Sequence, residues 1–485
     1  MELLERLDLN ELMLSEVSVL NDRFRLDSEF FKREYLDIEK SIMKNSFKRL
    51  SNIDYKIKHP AEIKREYVEN GVWFFRTQNI RPLKIEESND VYISSQDAVK
   101  LVNNHIKYND IVITRTGANY GQTAIYNLRK TAIGSSHTFI LRNNYFNQSY
   151  LAVFLNSKFG RKLIDKGMYG AAQPEIAPYY LSNIPIPDYT TDFQNRIEYF
   201  ILESEKVKTK FKELYSQAEN LLLQEIGLDE KITGLNPVKV TNSNVKSFAD
   251  SFVVTGRLDA EYYQPKYEAI IEKIKSQKYD SLHNIVTITK SIEPGSDYYS
   301  DDEIGLPFMR VADYTKFGLS EPNKKLTLEF VKENQDKIEE LKPQKGSILF
   351  SKDGSVGTAY HLREDFEGIT SSAILNLKVK NEKEIIPEYL TLALNSKLVQ
   401  MQAERDAGGS IILHWRIGEI KNVIVPIIDY TKQQQIAKLI EESFSLKKQS
   451  EHLLEVAKLA VEIAIEENEG VAMKYIEGNC GAKLM

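Results

Sequence analysis

The chain has 485 residues and a single cysteine, Cys480. One cysteine cannot close an internal disulfide or build a cysteine-rich zinc site, so a reducing compartment is the expected home. No apolar run approaches the ~20 residues of a membrane helix. Met1 to Asn10 lacks both the basic start and the apolar stretch of a secretory signal. These absences predict a cytoplasmic protein with no membrane partner. Catalytic motifs are missing as well. There is no G-x-x-x-x-G-K-[ST] phosphate loop, and no G-x-G-x-x-G opens a helix. The seven histidines make neither H-E-x-x-H nor a paired zinc spacing. An amino-methyltransferase would carry an Asn-Pro-Pro-Tyr-like or Asp-Pro-Pro-Tyr-like motif, and Asn236-Pro237-Val238 is not one. The reading is therefore of a chain with no catalytic site, no metal site and no cofactor of its own. Its composition, 42% hydrophobic and 28% charged, is that of a chain that folds, and the length suits two or three domains.

What the sequence does contain is an internal repeat. Arg25-Leu26-Asp27-Ser28-Glu29-Phe30-Phe31 returns as Arg257-Leu258-Asp259-Ala260-Glu261-Tyr262-Tyr263, each followed by a basic amphipathic helix ending at Asn52-Ile53 or Asn284-Ile285. Phe74-Phe75-Arg76 answers Phe308-Met309-Arg310, and Ile111 to Gly117 answers Ile348 to Gly354. Ile133 with Ser135-Ser136 returns as Ile369 with Ser371-Ser372. Tyr150-Leu151 through Lys158 returns as Tyr389-Leu390 through Lys397, and Ile184-Pro185-Ile186-Pro187 as Val423-Ile424-Val425-Pro426. Landmarks preserved in this order mark a duplicated domain, since solenoid units are only roughly 20 to 50 residues.

Each copy ends in a helix with a coiled-coil seam. Phe193, Ile197, Phe200, Ser204, Val207, Phe211, Leu214, Ala218 and Leu221 alternate steps of four and three. Ile436, Leu439, Ser443, Leu446, Ser450, Leu453, Ala457, Ala460 and Ala464 repeat the pattern. Within the modules, Ile111 to Thr114, Thr138 to Leu141, Ser347 to Phe350 and Ile374 to Val379 read as short strands, with short helices such as Tyr150 to Ile164 between them. The predicted fold is α+β: two tandem homologous modules separated by long, antiparallel, coiled-coil-like helices, with pseudo-twofold internal symmetry. The expected segments are a first recognition module over 1–190, a long helix over 191–228, a linker over 229–250, a second module over 251–429, a second long helix over 430–468 and a flexible tail over 469–485.

With chemistry excluded, the polar turns are the candidate working surface. Arg76, Thr77, Gln78, Asn79 and Arg81 leave a strand carrying side chains suited to base edges, since Arg grips O6 and N7 of guanine and Gln or Asn pairs with adenine. Arg115, Thr116, Asn119, Tyr120 and Gln122 form a second turn, and Tyr169 with Gln173 a third. The second copy offers Arg310, Asp313 and Tyr314, then Lys352, Asp353 and Ser355, then Ser410, His414, Trp415 and Arg416. All are candidate DNA contacts, and corresponding turns differ in their residues. Gly117, Gly121, Gly354 and Gly357 read as turn glycines. Residues 23–190 hold 25 Lys or Arg against 17 Asp or Glu, a net of +8, whereas residues 255–430 hold 23 against 28, a net of −5. The first module has the charge of a DNA binder and the second does not, so weak binding by the isolated chain is expected.

The order of module, long helix, module, long helix resembles the specificity subunits of type I restriction-modification systems. The turn Ile113-Thr114-Arg115-Thr116-Gly117, the loop Gly170-Ala171-Ala172-Gln173-Pro174 and the closing Leu181-Ser182-Asn183-Ile184-Pro185-Ile186-Pro187 followed by Gln194 and Ile197 carry the likeness. The resemblance implies a non-catalytic subunit whose two domains each read half of a split, asymmetric double-stranded DNA target, with the helices fixing the gap. It also implies two methyltransferase subunits docking on the helices and restriction or motor subunits completing the complex. S-adenosylmethionine, ATP and magnesium would then belong to those partners. The second module departs from the pattern, with Gly408-Gly409-Ser410-Ile411-Ile412 in place of the Ala-Gln-Pro loop. Two other readings stand beside this one. A protein-interaction scaffold with two peptide-binding modules predicts no salt-dependent DNA association, and a fused or degenerate enzyme subunit predicts turnover by the isolated chain.

Overall fold

The computed structural model describes residues 12–19, 25–64, 66–87, 90–170, 172–228, 243–300 and 304–479. Cys480 and residues 229–242 of the expected linker lie outside them. The chain divides into two compact units, Met1–Lys208 with Lys448–Met485, and Thr209–Lys447. The boundary does not follow the expected succession of segments. It cuts both long helices, Thr191–Ile226 and Tyr430–Glu466, so that each unit owns one module and a length of each helix.

The first unit is built on a four-stranded antiparallel sheet in the order Thr123–Ile125, Ile111–Thr114, Thr138–Asn143, Tyr55–Lys58. The second unit has the same order: Ala359–His361, Ile348–Ser351, Ile374–Val379, Val286–Lys290. Ile111–Thr114 and Ile348–Ser351 are buried along their whole length because both faces are covered. Successive side chains of a strand point to opposite faces. Ile111 and Ile113 accordingly feed the core that includes the long helices, while Val112 feeds a smaller core with Trp73 and Phe75. Ile348 and Phe350 feed the corresponding helix-lined core, and Leu349 a smaller core with Met309. Each unit adds a second sheet with one parallel pairing, Val72–Phe75 beside Ala132–Gly134 and Leu306–Met309 beside Ile369–Thr370.

Residues matched in sequence make the same bonds. Tyr150 Oη donates to the Pro187 carbonyl and Tyr389 Oη to that of Pro426, each at 2.7 Å. Gln194 Oε1 accepts from the Asn147 backbone at 2.9 Å, and Gln433 Oε1 from that of Ile386 at 3.0 Å. Asn156 Nδ2 donates to the Thr123 carbonyl at 2.9 Å, as Asn395 does to Ala359 at 2.8 Å. The repeated Arg-x-Asp motif has a structural purpose. Arg25 bonds Asp27 and covers the Phe30 ring at 4.7 Å; Arg257 bonds Asp259 and covers Tyr262 at 4.6 Å. A second cation takes each ring too, Lys166 at 4.5 Å and Arg405 at 5.0 Å.

The seam expected along the long helices is present and antiparallel. In the first unit Ser204 meets Ser450, Oγ to Oγ at 2.9 Å; in the second, Ser443 donates to the Phe211 carbonyl at 3.1 Å. Phe193, Ile197, Phe200, Ser204, Ala218, Ile436, Ser443, Ala457, Ala460 and Ala464 are buried. Near the end of the first helix the buried position is Leu222 rather than Leu221, as the spacing relaxes to a straight-helix period. The helices also pack on the modules themselves, through Phe193, Ile197 and Ala457 in one core and Tyr215, Ile226 and Ile436 in the other. The tail needs correction. Residues Glu469–Asn479 are a helix with Ala472 and Ile476 buried, and the Thr190 backbone donates to Glu469 Oε2 at 3.1 Å. The glycines at 470 and 478 suggested a loose end, but the four-residue spacing of Ala472 and Ile476 supplies an apolar stripe.

Candidate nucleic-acid interface

In the first unit, the strand Ile111–Thr114 ends at Arg115, whose backbone N–H donates to His137 at 2.8 Å and whose carbonyl accepts from Ile176 at 3.2 Å. Gly117 N–H donates to Pro174 at 3.0 Å, a left-handed turn (φ 98°) that glycine takes without strain. These bonds bring the 115–122 and 169–175 turns together. Arg115 Nε donates to Glu175 Oε1 at 2.7 Å, Thr116 Oγ1 meets His137 Nδ1 at 2.7 Å, and His59 Nε2 lies 3.1 Å from the Ser136 carbonyl. Burial raises the Glu175 carboxyl, but bonds from Arg115 and Tyr169 bring it net below its ordinary pKa. Burial and then the Arg115 charge push the His59 ring down. The group is a charged Arg–Glu pair beside a largely neutral imidazole, with Tyr169 and Gln173 exposed on the same turn.

The second unit repeats the backbone and changes the side chains. Lys352 N–H donates to Ala373 at 2.8 Å, its carbonyl accepts from Trp415 at 2.7 Å, and Gly354 N–H donates to Leu413 at 2.9 Å. Where Arg115 and Glu175 stand in the first module, the second has Lys352 bonded to Asp353, and Asp353 Oδ1 2.9 Å from His414 Nδ1. Ile411 is 95% exposed at the tip of this loop, where the first module has small and polar residues.

The remaining sequence candidates divide by burial. Arg76 and Arg310 open equivalent 3-10 turns, in which Asn79 Oδ1 and Asp313 Oδ2 accept the backbone N–H of the arginine at 2.9 and 2.8 Å. Asn79 and Asp313 are buried and spend their polar atoms on the fold, so as base contacts they are corrected. Tyr314 is buried with its hydroxyl on the Thr358 carbonyl at 3.0 Å, and Trp415 packs 5.8 Å from Phe350; neither side chain reaches the surface. Thr116 is mostly buried against His137. Thr77 and Gln78 are half-buried beside Arg76, while Arg81 lies in the hairpin Ile80–Arg81 with Lys84–Ile85 and donates to its neighbour Ile80 at 2.9 Å. Asn119, Tyr120 and Gln122 line a cleft of about 560 Å³ facing Glu451 and Leu454 of the second long helix. Tyr120 is tied to Asp165 at 2.9 Å there. Ser355, Ser410, His414 and Arg416 are exposed. Sequence reasoning missed Glu175 and His59. Glu175 adjoins the Gln173-Pro174 loop, but nothing in the sequence pairs it with Arg115.

Residues 278–456 match the family described as Type I restriction modification DNA specificity domain. Over that segment the chain is similar to type I restriction-modification DNA specificity domains. The resemblance read from the sequence is borne out over that segment, and the match falls on the module whose loop departs from the pattern. None of the curated proteins matches the chain. Among solved structures, the chain is similar to the type I restriction-modification S subunit from M. genitalium, at 14% identity, covering 89% of this chain and 95% of that one, with a TM-score of 0.36. It is also similar to the HsdS subunit from Thermoanaerobacter tengcongensis, at 15% identity over 90% and 97% of the two chains, with a TM-score of 0.26. Lys352 and Asp353, which follow the strand Ile348–Ser351, and the loop that carries His414 lie within the matched segment. Among the described residues no helix is long and apolar enough to cross a membrane.

Proposed function

We propose that this protein is a DNA sequence-specificity subunit that reads a bipartite, asymmetric duplex target, one half with each module, and directs methyltransferase and restriction subunits to it. The observation that carries the reading is the pair of strand-end turns, alike in backbone bonding and different in side chains. Base edges are read by hydrogen-bonding groups of defined type: Arg or Lys for guanine, amides for adenine, carboxylates for cytosine. A fixed backbone with exchanged side chains is what two readers of different half-sites require. The family match over the second module supports the DNA-specificity part of the reading. The subunit itself performs no chemistry. S-adenosylmethionine, ATP and magnesium are held by the partners, with two methyltransferase copies docking on the long helices, and the complex works in the cytoplasm, where the genome is.

Charge divides the labour further. The first module, at +8, neutralises phosphates, while the second, at −5, depends on local cations such as Lys352 and Arg416 and on partner subunits. Reading two short halves multiplies specificity, because mismatch penalties of roughly 1–3 kcal/mol add across separated positions.

The test is a genome-wide map of methylated bases in a host expressing this chain with an active partner methyltransferase, compared with the methyltransferase alone. A new split, asymmetric motif is expected, and Gln78→Ala should alter one half of it. No new motif would overturn the reading and leave the peptide-binding scaffold in its place.

A further inference from the structure

The second unit holds a group of side chains that the DNA-reading turns do not use. His361 ends the edge strand Ala359–His361, Glu388 sits in the first turn of the helix Pro387–Asn395, and Glu441 lies on the second long helix. One donor atom from each lies within 4.8 Å of the others. His361 is 8% exposed, and neither ring nitrogen meets a hydrogen-bond partner at acceptable geometry. Its Nδ1 stands 3.3 Å from Glu388 Oε1. A buried imidazole with no well-formed hydrogen bond, only a weak one with the Gly346 backbone, is unusual, because buried polar atoms are otherwise paired.

We propose that His361, Glu388 and Glu441 form a binding site for a divalent metal ion, Zn²⁺ by the chemistry of its donors, which ties the edge strand of the second module to the helix beside it and to the second long helix. One imidazole nitrogen and two carboxylate oxygens are ordinary zinc donors, and a water would complete four-coordination. Tetrahedral bonds of about 2.0–2.1 Å place neighbouring donors about 3.3–3.4 Å apart, which is the spacing of His361 and Glu388. Glu441 has to swing inward, and it is free to do so, with its side chain 54% exposed. Arg363 borders the site, 3.5 Å from Glu441. It is held elsewhere by stacking on Phe444 at 3.5 Å and by donating to the His361 carbonyl at 3.1 Å, so Glu441 can leave it without unseating it.

The first module cannot build this site. His361 pairs with Ile348 in the second module as Ile125 pairs with Ile111 in the first, so the counterpart of the histidine is an isoleucine. In the register that matches Tyr150 with Tyr389 and Gln194 with Gln433, Ser149 stands for Glu388 and Leu202 for Glu441. The site belongs to one module, and its ligands are too far apart in sequence for any spacing motif to reveal them.

The test is titration of the metal-free full-length chain with Zn²⁺ against a chromophoric chelator, with thermal melting in parallel. One equivalent is expected to bind with micromolar or tighter affinity and to raise the melting temperature. His361→Leu, which keeps the buried volume, and Glu388→Gln should each weaken binding at least 100-fold and abolish the thermal shift. Glu441→Gln, at an exposed position that cannot unfold the module, should weaken it about tenfold. Co²⁺ in place of zinc should give the intense visible bands of a four-coordinate site in the wild type and not in His361→Leu. No stoichiometric binding, or binding unchanged in all three variants, would overturn the proposal; tighter binding of Mn²⁺ than of Zn²⁺ would overturn the choice of metal.

Discussion

The two modules hold the same aromatic ring between two cations, yet they bury the second cation to different depths. Lys166 in the first module has no exposed side-chain surface and bonds Glu39 at 2.5 Å, whereas Arg405 in the second is 21% exposed and bonds its neighbour Asp406 at 2.7 Å. Burial opposes both charges: it lowers the Lys166 pKa against the pull of Glu39, whereas at Arg405 it is outweighed by the bond to Asp406, which leaves that pKa raised. One sequence motif therefore rests on two kinds of electrostatics, and the modules should respond differently to the loss of the cation. Lys166→Ala strands Glu39 and should cost the first unit about 3 kcal/mol, whereas Arg405→Ala, which takes a partly exposed cation from Asp406, should cost the second less, about 2 kcal/mol. The chain has two tryptophans, Trp73 and Trp415, both buried and one in each module, so Trp73→Phe and Trp415→Phe chains report urea unfolding of each separately. Equal losses in both units would break the comparison.

The repeat, the strand positions and the helical seam were legible from local pattern: a short β-type run at Ile111 to Thr114 bounded by turn residues, heptad steps from Phe193 onward. The site was half legible. Polar residues in turns pointed to the strand ends at Arg115 and Lys352, which hold equivalent places in the two modules, but polarity does not distinguish a side chain that reads DNA from one that closes a turn. Asn79 and Asp313 looked like base readers and are buried caps, since a short amide or carboxylate serves equally well to bind its own backbone. Trp415, next to the exposed His414, goes inward because neighbouring residues in an extended segment face opposite ways. His361 was invisible for another reason: its carboxylate neighbours arrive from elements 27 and 80 residues further along the chain.

The second difference lies in the strand-end turns, where Arg115 with Glu175 in the first module corresponds to Lys352 with Asp353 and His414 in the second. On DNA carrying the full target, Arg115→Ala should weaken binding about 10- to 100-fold, the 1–3 kcal/mol typical of a lost base contact, and relax preference in one half-site only. Lys352→Ala should do the same to the other half. If Lys352→Ala instead weakens all sequences alike and lowers the salt dependence of log K by about one, the lysine contacts phosphate and the second module reads through other groups. Competition binding at several salt concentrations separates these outcomes. A change in both half-sites from either substitution would end the two-reader model.

The smallest expected effect comes from the helical seam, one heptad apart in the two units. In the first, the Ser204 and Ser450 hydroxyls lie 2.9 and 3.0 Å from each other's backbone carbonyls and 2.9 Å from each other, so their two protons are shared among three contacts. In the second, Ser443 faces Phe211, which packs 5.4 Å from Phe317 and 6.3 Å from Phe444, so an aromatic cluster fills the space that a second serine leaves in the first unit. Ser204→Ala and Ser450→Ala should each cost the first unit about 1 kcal/mol, as expected for a buried hydrogen bond. The double substitution should cost less than the sum by at least about 0.5 kcal/mol, since the hydroxyl pair can be lost only once. Ser443→Ala should cost the second unit about 0.5–1 kcal/mol, with no partner hydroxyl to couple to. Strict additivity between Ser204 and Ser450, read by Trp73 fluorescence in the Trp415→Phe chain, would show that the two serines are small residues chosen for close helix approach rather than a bonded pair.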